Sequence, residues 1–73
     1  MVINLNEKYV NLINYSQQYS GIHLNKFNIL NIVFVSSAQT LVNLNKIEEL
    51  PELTRQYQQI ENQITNEERV NIA

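Results

Sequence analysis

Seventy-three residues with a net charge of −2 and no cysteine make one small domain, 1–73, whose core is limited by its high ratio of surface to volume. Disulfides and thiolate metal sites are excluded, and with one histidine and no aspartate a metal site would need His23 and glutamates at a ligand spacing that the chain does not contain. Small scaffolds without such staples stand on very good helix packing or on oligomerisation, so one of these is expected.

The charge is unevenly spread. Residues 1–45 hold Glu7 against Lys8 and Lys26, net +1, while residues 46–73 hold six glutamates against Lys46, Arg55 and Arg69, net −3. No basic stripe is available to neutralise phosphates, which argues against nucleic acid as a partner. The acidic last third reads as a solvated helix face, with a basic partner surface as the sharper alternative. Twelve asparagines and seven glutamines are interspersed with aliphatics and never form a tract, so no prion-like segment is read. The longest unbroken apolar run, residues 32–35, is far short of the roughly 20 residues of a membrane span. The opening MVINLNEK lacks a basic region followed by an apolar core. A cytoplasmic chain without membrane association is the expectation.

In chain order, Asn6 is placed to cap a first helix over 7–20, with Leu5 and Val10 spaced as a hydrophobic staple. Leu5, Tyr9, Leu12, Ile13, Ser16 and Tyr19 share one face at the 3.6-residue period. Gly21, the only glycine, sits where a left-handed residue would end that helix. The connection 21–26 holds His23, read as a solvated or hydrogen-bonding residue rather than a catalyst.

Asn25 can cap the segment that carries most of the bulky aliphatics, FNILNIVFVSSAQTLVNL over 27–44. Phe27, Leu30, Phe34, Ala38, Leu41 and Val42 share one helical face, while Ile29, Ile32, Val33 and Val35 spread around the other sides and call for cover all round. A run of this kind also fits a strand buried on both faces, which periodicity alone does not separate from helix. The apolar spacing continues in helical phase past Ser36 and Ser37 to Leu41, and that length favours a helix over 26–44. Asn31 lies near the apolar face, where it would either fix register as a buried amide or face solvent at a flank.

Asn45-Lys46-Ile47-Glu48 has capping-box spacing, so a short turn is expected before Pro51. Proline disfavours helical geometry in the residue before it and suits the first turn of a new helix. That helix is expected over 51–66, because Leu53, Tyr57, Ile60 and Ile64 are spaced four, three and four, the seam of an amphipathic helix. Residues 67–73 read as a fraying tail.

The chemistry of an enzyme is missing from this pattern. One histidine without a supporting aspartate makes no triad, one glycine makes no phosphate loop, and Glu48, Glu49 and Glu52 flank a proline turn where carboxylates are ordinarily solvated. No enzyme activity and no cofactor are expected. The predicted fold is all-α, a small bundle of two to three helices completed by dimerisation; the alternative is an α+β chain with a β-α-β unit, its strands at 1–5 and 27–35. The predicted role is non-enzymatic: a self-associating adaptor, regulator or inhibitor that docks on another protein, with Phe27, Leu30, Val33, Phe34, Leu41, Tyr57 and Ile60 as interface residues. The alternative role is a compact helix-turn-helix DNA-binding regulator.

Overall fold

The computed structural model describes residues 3–19 and 25–72, and the side chains of those up to residue 68. It contains α1 (Leu5–Tyr19), α2 (Lys26–Asn43), a single 3-10 turn at Ile47–Glu49 and α3 (Leu50–Ile72), with no strand among the described residues. The chain is an all-α bundle. The β-α-β alternative falls because residues 27–35 lie wholly inside α2.

The first helix starts two residues earlier than its sequence suggests. Asn4, not Asn6, is the cap: its Oδ1 accepts from the Glu7 amide at 3.0 Å, the bond by which a cap satisfies a free N–H of the first turn. The earlier start brings Leu5 into the helix on the same face as Tyr9 and Ser16, and all three are buried. Burial of Leu5 therefore explains the shift, and with it Val10 turns outward to 41 % exposure, so the expected staple does not form. Tyr19 is also on the surface, beside Tyr15 with ring centroids 4.7 Å apart. The expected stop at Gly21 and the residue His23 lie outside the described residues.

Asn25 caps α2 as expected, with extended backbone and its Oδ1 accepting from the Phe27 amide at 2.8 Å. The buried face of α2 comprises Ile29, Leu30, Val33, Ser37 and Leu41, flanked by the half-buried Phe27, Phe34 and Ala38. This arc is rotated from the face read in the sequence, gaining Ile29 and Val33 and losing Val42. The reason is that α2 packs against both α1 and α3; two neighbours cover about half its circumference and leave the other half open. The molecule measures 42 × 28 × 15 Å, and its thin dimension has no room for a layer on the far side of α2, given a helix diameter of about 10–12 Å. Cover on every side is thus not provided within one chain, and Asn31 faces solvent.

The exit from α2 is a Schellman motif. The Lys46 amide reaches the Leu41 carbonyl at 2.7 Å and the Asn45 amide the Val42 carbonyl at 3.0 Å, while Asn45 adopts a left-handed φ of 58°, which asparagine tolerates better than most residues. Asn45 therefore closes α2 and does not open the next turn as a capping box. The Glu49 amide bonds the Lys46 carbonyl at 3.0 Å to form the 3-10 turn, and α3 starts at Leu50 with Pro51 in its first turn, where its missing N–H leaves no bond unmade.

On α3 the seam is as read: Leu53, Ile60 and Ile64 are buried and Tyr57 is half-buried. The helical backbone continues to Ile72, beyond the expected end near Asn66. Leu5, Leu30, Leu41, Leu53 and Ile64 are the largest fully buried side chains, so each helix contributes to one shared core. Phe34 packs at its rim against Tyr57, ring centroids 4.7 Å apart and planes inclined by 55°. Because that ring is only half-buried, Phe34→Ala is expected to cost about 1 to 2 kcal/mol, below the roughly 3 to 5 kcal/mol of a fully buried phenylalanine. Urea unfolding checks this, and a loss in the fully buried range would mean that the ring is enclosed.

Two polar ties hold the helices in register. On α3, Gln56 grips the backbone ahead of α1 at both ends of its amide. Its Oε1 accepts from the Leu5 N–H at 2.8 Å and its Nε2 donates to the Ile3 carbonyl at 2.8 Å. At the other end of the bundle, Lys26 of α2 donates to Glu67 of α3 at 3.0 Å, both side chains nearly half exposed. This bond and the Glu67 charge raise the Lys26 pKa above its ordinary 10.5. A raised lysine contributes stability that is fully present below the unfolded value and lost as pH rises through the folded one. Glu67→Gln is accordingly expected to cost no more than about 1 kcal/mol near neutrality, the range of exposed pairs. Its deficit should vanish at strongly alkaline pH, measured by denaturant unfolding across that limb.

Candidate interaction surface

Helix α2 carries its chemistry on the face that the core does not use. Ile32 and Val35 are each 55 % exposed and Val42 is 48 % exposed. With Asn28 and Gln39, also exposed, they are spaced four, three, four and three, so the five lie in one line along the helix. No residue between 27 and 45 is charged. The outer face of α2 is therefore apolar and amide-bearing, without the charges that normally keep a helix face in water. Gln39 is held along this line by its Nε2, which donates to the Asn43 Oδ1 at 3.0 Å.

Beside this line runs an open groove of about 480 Å³ between α1 and α2. Lys8, Asn11, Leu12 and Tyr15 form its α1 wall, Ile32, Val33, Ser36, Ser37 and Thr40 its α2 wall, and Ile3 contributes from the lead-in segment. Ser36 and Ser37 are small, which lowers the α2 wall at mid-length. Ser37 is 3 % exposed and its Oγ has no hydrogen-bond partner, an uncompensated buried hydroxyl of the kind native folds mostly avoid. Tyr15 is 61 % exposed and extends the apolar patch from α2 onto α1.

The residues expected at an interface divide into two groups. Leu30, Val33, Leu41 and Ile60 are buried in the chain's own core, and Phe27, Phe34 and Tyr57 are half-buried at its rim. All seven thus belong to the core or its rim, whereas the exposed aliphatics of α2 are Ile32, Val35 and Val42. A sequence signal for the latter exists in their regular spacing with Asn28 and Gln39, but two asparagine and glutamine members hide it from a count of apolar residues. Tyr57 has its hydroxyl pKa pushed up by burial and by a hydrogen bond to Glu61, in keeping with a packing role.

Glu48, Glu49 and Glu52 meet around a smaller hollow of about 190 Å³ with Leu41, Leu53 and Gln56. Glu52 is already engaged by Arg55 one turn on, the Arg55 Nε donating to its Oε2 at 2.8 Å, and the pair lowers the Glu52 pKa. Among the described residues no group of three histidine, cysteine or acidic side chains is arranged to hold a metal ion. None of the described helices is long and apolar enough to cross a membrane.

The fold and this surface define a small three-helix bundle whose α2 presents an uncharged outer face with three exposed aliphatics among amides and hydroxyls. No family model matches the chain, and no curated protein or solved structure is similar to it.

Proposed function

We propose that this is a small non-enzymatic helical protein that works by protein–protein interaction, as an adaptor, regulator or inhibitor, and that it self-associates. The observation that carries this reading is the outer face of α2, where Ile32, Val35 and Val42 are each about half exposed on a stretch without charge. A contiguous exposed apolar patch bordered by polar residues marks a docking surface more often than a random excess of surface leucine or valine. Helix α2 and the groove beside it offer methyl, amide and hydroxyl groups with the Lys8 ammonium at the edge, a set suited to seating a polypeptide side of similar character.

The contact role moves outward from the residues read in the sequence. Leu30, Val33, Leu41 and Ile60 support the face from within, and Ile32, Val35, Val42 and Tyr15 present it. Affinity capture with the tagged chain against its Val35→Glu variant tests the proposal. Polypeptides retained by the parent chain and lost from the variant are expected, with both chains equally helical by circular dichroism. Identical retention by the two chains would remove the surface from consideration.

A further inference from the structure

We propose that the groove between α1 and α2 binds a free medium-chain fatty carboxylate, with the headgroup held by Lys8 and Ser37 and the tail lying on Leu12, Tyr15, Ile32 and Val33. The inference goes beyond the interaction reading, which is tested at Val35, a residue that does not line the groove.

Both walls grade from polar to apolar in the same direction. Residues 20–25 alone separate α1 from α2, and helices joined by so short a connection run antiparallel. The start of α1 therefore lies beside the end of α2, in keeping with the hollow that Ile3 shares with Leu41. This register sets Lys8 and Asn11 of one wall towards Ser36, Ser37 and Thr40 of the other, and Leu12 and Tyr15 towards Ile32 and Val33. One end of the groove offers an ammonium, an amide and hydroxyls, with Ile3 the one aliphatic beside them; the other offers hydrocarbon and an aromatic ring.

Charge selects the headgroup. Lys8 is the only charged residue that lines the groove among those described. No ion pair engages it among the described residues, whereas Lys26 and Arg55 are held by Glu67 and Glu52. Glu7, its neighbour in sequence, does not line the groove. A single anionic group is the complement of such a wall.

Ser37 supplies the second contact. It lines the groove, yet it is only 3 % exposed and its Oγ has no hydrogen-bond partner. A turn about χ1 to another staggered position brings the oxygen to the groove. The hydroxyl gives up no bond in turning, and the one it then donates to a carboxylate is charge-assisted. The unmet hydroxyl of the free chain is thus a cost that the ligand relieves.

Size selects the tail. Each wall spans about two helical turns, residues 8–15 and 32–40, roughly 10 to 12 Å at 1.5 Å per residue. The volume of about 480 Å³ lies in the range of small-molecule sites, roughly 300–1,000 Å³. A medium alkyl chain occupies that length, and decanoate is the probe.

Titration of the isotope-labelled full chain with decanoate, kept below its micelle concentration, is expected to give saturable shifts at the amides of Lys8, Ile32 and Ser37 and none at Arg55 on α3. Decanol, which lacks the charge, and acetate, which lacks the chain, should each bind at least about tenfold more weakly. Lys8→Gln should weaken decanoate by about tenfold. Ser37→Ala should do the same while raising the urea midpoint of the free chain, because the unmet hydroxyl is gone; a serine with a merely structural role would not move the two readouts in opposite directions. Val35→Glu should bind decanoate as the parent chain does. Unchanged affinity in Lys8→Gln or Ser37→Ala, or decanol bound as tightly as decanoate, overturns the headgroup assignment. Shifts that never saturate, or that spread evenly over α3, overturn the site, and polypeptide capture through Val35 stands or falls separately.

Discussion

Leu30→Ala is expected to lower the unfolding free energy by about 3 to 4 kcal/mol, within the roughly 2 to 5 kcal/mol found for leucine truncations that leave a cavity. Leu30 is fully buried and lies near the middle of the buried arc of α2, so shortening it removes contacts that both neighbouring helices share. A chain of this length has a total stability of roughly 4 to 11 kcal/mol at about 0.05–0.15 kcal/mol per residue, and the variant would lose a large part of it. Ile32 is the control: two residues along the same helix, it is 55 % exposed. Ile32→Ala should cost less than about 0.5 kcal/mol in dilute solution, where pairing does not contribute. Urea unfolding of both variants measures the contrast. Equal losses would mean that Ile32 is as enclosed as Leu30, and the division of α2 into inner and outer faces would fall.

That contrast also marks where sequence reasoning stops. The three helices, the Asn25 cap and the Leu53–Ile60–Ile64 face were legible because each rests on local rules: side-chain capping, a 3.6-residue period, proline in a first turn. Helix type over 27–35 was less legible, since β-branched runs satisfy either a buried strand or a helix, and it is settled by the unbroken α2 that contains them. Asn4 was missed as the cap because Asn6 has the same chemistry two residues later. Only the docking of Leu5 into the core, a tertiary fact, distinguishes them. Asn45 was misjudged for a related reason: an asparagine in a left-handed C-terminal turn and an asparagine before a new helix look alike in sequence.

The candidate surface was legible only in kind. Residues 27–35 hold more apolar surface than two neighbours cover, and the structure bears this out by leaving Ile32 and Val35 exposed. Which side chains are surplus depends on the angle at which α1 and α3 meet α2, and that angle is a property of the packed bundle. Leu30, Val33 and Leu41 lie on the side of α2 that meets α1 and α3, so the core takes them, while Ile32 and Val35, equally hydrophobic, lie on the other side. The surface keeps what is left.

Gln56→Leu is expected to cost about 2 to 3 kcal/mol although it replaces a polar residue by an apolar one of similar size. Gln56 uses its amide oxygen on the Leu5 N–H and its amide nitrogen on the Ile3 carbonyl, and a leucine leaves both backbone groups without a partner in a partly buried site, at about 1 to 3 kcal/mol for each group so stranded. The Leu5 N–H is one of the free donors of the first turn of α1, which no intrahelical bond can satisfy. Hydrogen exchange of the Leu5 amide reads the loss directly and should accelerate in the variant, while the Lys46 amide, bonded to Leu41 inside the Schellman turn, should slow or speed only with global stability. Gln56→Glu separates the two bonds. It keeps an acceptor for Leu5 but turns a second carboxylate oxygen towards the Ile3 carbonyl, so its stability should lie between those of the parent and Gln56→Leu at neutral pH. Protonation restores a donor facing Ile3, and because the neutral form is the one favoured by folding, the folded pKa of the introduced carboxyl is raised. The deficit should therefore be present above that raised value and shrink as pH falls through it. A loss below about 0.5 kcal/mol for Gln56→Leu, with Leu5 exchange unchanged, would show that the lead-in segment is held by the burial of Ile3 and Leu5 alone.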